Sequence, residues 1–83
     1  MVSTAIVVLN CELGSTKDII LEFRKLSEVD EVKQVIGLYD IIMKVSANSV
    51  DELKETIKKQ IKKSDKIYSY TTMILRHTHE EKV

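Results

Sequence analysis

Two strand-like runs in the middle of this chain meet at a corner too short to carry a crossover, and this constrains the fold more than any other feature. Residues 31–39, with Val32, Val35 and Ile36 among polar neighbours, lead through Gly37-Leu38-Tyr39-Asp40 into the apolar run Ile41–Ala47. Parallel neighbours need a dozen or more connecting residues, so these two runs must form an antiparallel hairpin. Gly37 either takes a backbone conformation closed to other residues or lets another backbone come close. Asp40 puts a carboxylate at the mouth of a greasy strand, where it must stay wet, find a partner or meet a cationic ligand.

A capped helix pattern flanks the hairpin on each side. Residues 4–11 are β-branched and apolar and read as a strand; Gly14 ends the run, and Ser15-x-x-Asp18 opens a helix that should reach about Ser27. Ile19, Ile20, Phe23 and Leu26 share one side of that helix, with Leu21 roughly opposite. After the hairpin, Ser49-Val50-Asp51-Glu52 is a full capping box, and Val50, Leu53, Ile57 and Ile61 form a narrow apolar stripe to about Lys63. A last strand over residues 66–77 and a charged tail over residues 78–83 complete the chain.

The order is βαββαβ. Short connections and right-handed crossovers then select an α+β, ferredoxin-like sandwich: a four-stranded antiparallel sheet with two helices on one face. Such a sheet should alternate apolar with polar residues. Here Ile6 and Val8 oppose Ala5, Val7 and Leu9, and Ile41-Ile42-Met43 and Met73-Ile74-Leu75 are apolar on both sides. The helices can cover only one face, so the other presents more apolar surface than soluble monomers normally expose. Eighty-three residues bury only about 60–65% of their unfolded surface, and a single cysteine, Cys11, allows no intrachain disulfide. The sheet is therefore expected to pack against a second copy.

Composition and motifs exclude several functions. Thirteen basic residues balance thirteen acidic ones, so no overall field attracts nucleic acid or membrane. The N-terminal apolar run lacks the basic start of a signal peptide and is too short to span a bilayer, which predicts a cytoplasmic protein. The run Lys58, Lys59, Lys62, Lys63 and Lys66 reads as a solvated helix end favoured by the helix dipole, without the arginines or aromatics that read bases. His77 and His79 are too few for a metal site, and Cys11 lacks a companion histidine and reads as an apolar filler. No catalytic motif, cofactor or metal is expected. Two places invite a ligand: the corner Gly37, Leu38, Tyr39 and Asp40, and the hydroxyl-rich Ser69-Tyr70-Thr71-Thr72.

Taken together, Gly37-x-Tyr39-Asp40, the strand Ile41-Ile42-Met43-Lys44-Val45, the helix start Ser49-Val50-Asp51-Glu52-Leu53 and the closing Ser69-Tyr70-Thr71-Thr72-Met73-Ile74-Leu75 resemble the effector-binding RAM domain of the Lrp/AsnC transcription regulators. The resemblance spans about residues 3–76. It implies a sheet-to-sheet dimer, further assembly into rings of four dimers (octamers), and an amino-acid effector bound between neighbouring dimers. Asp40 would take the effector's ammonium and main-chain amides of the corner its carboxylate. Ser69, Thr71 and Thr72 would add hydroxyls, with Tyr70 bulky enough to narrow the pocket. Full-length regulators place a DNA-binding helix-turn-helix before this module. Here the first strand starts near Met1, so residues 1–83 are expected to be a single stand-alone module, sensing amino acids or co-assembling with full-length regulators. The alternatives are a small dimeric α+β barrel enzyme of monooxygenase type and an ACT-type regulatory domain.

Overall fold

β1 (Ser3–Cys11) is the spine of the molecule, because both of its edges are paired and its two faces lie on different surfaces. In the computed structural model, which describes residues 2–75, it is followed by α1 (Thr16–Arg24), β2 (Val29–Gln34), β3 (Ile41–Ala47), α2 (Val50–Lys62) and β4 (Ile67–Leu75). The strands form one antiparallel sheet in the order β2-β3-β1-β4. This is the expected βαββαβ sandwich, with β1 at the centre and β2 and β4 at the edges.

The helix-covered face is the core. Ala5, Val7 and Leu9 of β1 pair in register with Val45, Met43 and Ile41 of β3, and all six are buried. Ile19, Ile20 and Phe23 of α1 and Leu53 and Ile57 of α2 close over them, with Val32 of β2 and Cys11 at the margins. Cys11 is thus a buried free thiol, as its apolar surroundings suggested. Leu21 is exposed on the far side of α1. Burying a side chain such as Leu53 contributes about 1.5–3 kcal/mol.

The two helices start differently, although both were expected to be capped by serine. Ser49 Oγ accepts the Glu52 amide at 3.1 Å, and the Glu52 carboxylate returns to the Asn48 amide at 3.3 Å, one residue earlier than in the usual box. Ser15 makes no side-chain cap. Its backbone is already helical, and its hydroxyl donates instead to the Glu12 carboxylate at 3.3 Å. α1 also ends at Arg24, short of Ser27, because the Lys25 and Leu26 amides turn back to the carbonyls of Glu22 and Phe23, three residues earlier.

β2 begins earlier and ends earlier than its expected span of residues 31–39. The Val35 amide donates to the Asp40 carbonyl at 2.9 Å and closes the hairpin there, so residues 36–39 leave the ladder as a loop. Ile36 and Leu38 project from it and are almost fully exposed. β4 starts one residue after the expected Lys66, and its expected extension to residue 77 lies outside the described residues, as do His77 and His79.

On the uncovered face the cross-strand rows are Lys33, Ile42, Val8, Thr71 and Glu31, Lys44, Ile6, Met73, then Ser46, Thr4, Leu75. The apolar surface anticipated from the sequence is present, but it is not spread evenly over the sheet. It is concentrated on β1 and β4 with Ile42, while Lys44 interrupts it on β3 and charges of β2 rim it. Met73 and Leu75 are nearly half exposed, and no helix lies on this side.

Candidate functional site

The corner is built at the sheet end where β1 and β2 finish and β3 begins. Asp40 sits just before β3, and its amide donates to the Leu9 carbonyl at 3.0 Å, continuing the β1–β3 pairing beyond the strand. Its carboxylate oxygen Oδ2 accepts the Cys11 amide at 2.9 Å. That amide lies at the irregularity where the β1–β4 register shifts between Asn10 and Cys11, so Asp40 caps a bulge as well as a hairpin. Of the three fates open to this carboxylate, the structure gives it a partner, with Oδ1 remaining for another donor. Asp40 and Tyr39 are half-buried.

Gly37 takes φ +141°, a region that L side chains rarely adopt, and a Cβ built there would meet nothing within 4 Å. The glycine serves backbone conformation, not close approach of another chain segment. Ile36 and Leu38 stand exposed in sequence on either side of Gly37, ahead of the half-buried Tyr39 and Asp40.

Three further contacts stitch this end of the sheet together, and no local sequence pattern signals them. The Glu12 amide donates to the Lys66 carbonyl at 2.8 Å, joining the ends of β1 and β4. Lys66 Nζ lies 2.9 Å from Glu12 Oε2, and Ser15 donates to the same carboxylate oxygen. The hydrogen bond and charge of Lys66 hold the Glu12 carboxyl below its ordinary value, and Glu12 correspondingly raises the Lys66 ammonium. Both groups are about half open to solvent, so water screens the pair. Only the pairing of residues 12 and 66 through a non-local ladder brings these charges together.

The hydroxyl-rich strand divides between two faces. Ser69 and Thr71 stand opposite Asn10 and Val8 on the uncovered face, whereas Thr72 stands opposite Val7 on the helix side, together with Tyr70 opposite Leu9. Tyr70 therefore projects away from Ser69 and Thr71 and does not narrow a space between them. Moreover, β1 separates β4 from the corner. Two strand spacings, about 10 Å, lie between the two places in one copy. Gly37, Leu38, Tyr39 and Asp40 are brought together; Ser69, Thr71 and Thr72 are not brought to them.

Among the described residues, no group of three or more histidine, cysteine, aspartate or glutamate side chains is arranged to hold a metal ion. No helix among them is long and apolar enough to cross a membrane.

Comparison with known proteins gives a consistent picture. An uncharacterised HTH-type transcriptional regulator of Pyrococcus abyssi is 34% identical over 71 residues, which cover 86% of this chain and 45% of the regulator. A similar regulator of Pyrococcus horikoshii matches to the same extent, so the chain spans about half the length of the curated relatives it matches. Among solved structures, the hypothetical protein PHS023 from P. horikoshii superposes with a TM-score of 0.83 at 31% identity, covering 99% of this chain and 100% of that one. E. coli AsnC shares the fold, with a TM-score of 0.82 at 22% identity over 98% of this chain and 55% of its own. The family model of the Lrp/AsnC ligand binding domain matches residues 4–82. With nearly the whole sequence matched and the sheet order and hairpin corner in place, this chain belongs to the Lrp/AsnC ligand-binding domain family.

Proposed function

We propose that this chain is a cytoplasmic, non-enzymatic effector-binding and assembly module in transcription regulation, and that its effector is a small amino acid. The observation that carries this reading is the corner at the sheet end. It offers loop amides beside a carboxylate with one oxygen still available, the complement of a zwitterion. Gly37, Leu38, Tyr39 and Asp40 hold the effector's charged groups. Ser69, Thr71 and Thr72 act from another copy, since β1 stands between them and the corner within one chain. The layout of the sheet supports effector binding between copies.

Assembly begins with the uncovered face. Ile6, Ile42, Met73 and Leu75 pack against the same face of a second copy, and pairs join into larger rings through the ends that carry the corners. A shared effector favours the assembled state only through its differential affinity for that state. The balanced charge, thirteen basic against thirteen acidic residues, supports a role in which the module does not grip operator DNA itself and instead acts on full-length regulators by co-assembly.

Titration calorimetry against the twenty amino acids tests the sensing role. Heat from one or a few of them, lost on Asp40→Asn, is the expected result. A folded oligomer that responds to none of them would defeat it and leave assembly alone.

A further inference from the structure

The helix side of the molecule holds a second place for a small ligand, separate from the corner. α1 packs on β2, whereas α2 lies over β1 and β3. Where the first turns of α1 pass the last turn of α2, the helices leave a groove of about 260 Å³ over the start of β4. That volume is near the lower limit of small-molecule sites, about 300–1,000 Å³. Ile19 and Phe23, both almost fully buried, and the partly buried Ile67 floor the groove, and its polar walls differ in sign. Asp18 and Glu22 stand on α1; Lys63 and Lys66 stand at and beyond the end of α2.

Two of these four charges are already satisfied. Lys66 pairs with Glu12 at 2.9 Å, and Glu22 pairs with Lys25 at 3.2 Å. Asp18 and Lys63 have no ion-pair partner among the described residues, so each wall keeps one uncommitted charge. Ser64 Oγ is also occupied, accepting the Lys66 amide at 3.2 Å, which fixes the chain leaving α2.

We propose that this groove binds a small zwitterion with an apolar body. The body rests on Ile19, Phe23 and Ile67, the ammonium faces Asp18 and the carboxylate faces Lys63. An apolar floor alone would accept any greasy molecule; opposite charges on opposite walls select one that carries both signs. A free amino acid and the two ends of a short peptide share this chemistry. The site involves none of the corner residues and stands whether or not the corner binds an effector.

The test is a two-dimensional amide NMR titration of the full chain with leucine, leucylleucine, N-acetylleucine and leucinamide. Leucine or leucylleucine should shift the amides of Asp18, Ile19, Phe23, Lys63 and Ile67, and the tighter of the two identifies the source. Either analogue with one end blocked should bind about two- to fivefold more weakly, the range for ion pairs open to water. Asp18→Asn should remove the discrimination against N-acetylleucine, and Lys63→Gln that against leucinamide; both positions are exposed, so the fold is kept. Asp40→Ala should leave these shifts in place, which separates this site from the corner. Shifts confined to residues 37–40 and 69–72, or equal affinity for blocked and free probes, would overturn the proposal. So would groove shifts that depend on protein concentration alone, because a second copy would then fill the groove.

Discussion

Replacing Asp40 by alanine removes one acceptor from a structural bond and, in the proposed function, one charge from a ligand site. The two effects can be separated. In the wild type, Oδ2 accepts the Cys11 amide at 2.9 Å, and Cys11 is buried at the β1–β4 irregularity. Leaving a buried donor without its acceptor costs about 1–3 kcal/mol. The corner is only half-buried, so water can partly replace the lost oxygen, and the lower end of that range applies, about 1–1.5 kcal/mol. The backbone bonds of residue 40 to Leu9 and Val35 survive the substitution, which keeps the effect local. For a domain of this size each kcal/mol lowers the Tm by about 4–8 °C, so Asp40→Ala should melt about 4–12 °C below wild type. Asp40→Asn keeps a carbonyl oxygen for Cys11 and loses only the charge assistance, so it should cost about half as much. Yet it should abolish any amino-acid response as fully as alanine does. Thermal unfolding and titration calorimetry on the three proteins suffice. An alanine variant as stable as wild type would refute the structural role, and an asparagine variant with undiminished affinity would refute the assigned ammonium contact.

Three further outcomes follow from local geometry. Ser49→Ala should lose about 1 kcal/mol of stability in chemical denaturation, as removal of a side-chain cap does, whereas Ser15→Ala, which removes no cap, should lose a few tenths at most; equal losses would contradict the observed caps. Gly37→Ala should cost about 1–2 kcal/mol from backbone conformation alone, since there is open space for the methyl group, and a neutral result would contradict the φ of +141°. Glu12→Gln should destabilise the protein near neutrality. Because folding lowers the Glu12 value, its contribution is present above the unfolded carboxylate value and fades as pH falls through the folded one. Because folding raises Lys66, the same pair weakens again as pH rises through the raised lysine value. Wild type and variant should therefore converge in acid and in strong alkali, and a difference that persists below the carboxylate range would refute the pairing.

Much of the fold was legible because its signals are local. The short hairpin corner forced antiparallel pairing, the apolar spacing of Leu53 and Ile57 selected the buried side of α2, and Ser49-x-x-Glu52 fixed its start. Ser15 fits the cap pattern by residue type, but its hydroxyl serves the Glu12 carboxylate instead. The corner was legible as a candidate site since Gly37 and Asp40 lie only three residues apart. Its supports were not: Cys11, Glu12 and Lys66 meet only through strand pairing. The hydroxyl-rich strand is one place along the sequence, but a period of two sends Thr71 and Thr72 to opposite faces.

The account depends on the uncovered β1–β4 surface of Ile6, Met73 and Leu75 being closed by an identical copy. Sedimentation equilibrium at micromolar concentration measures this directly. The expected mass is at least twice the 9.5 kDa of one chain, falling toward one chain when Ile6 and Met73 are both replaced by glutamate. A wild-type mass of 9.5 kDa in a folded sample would contradict it.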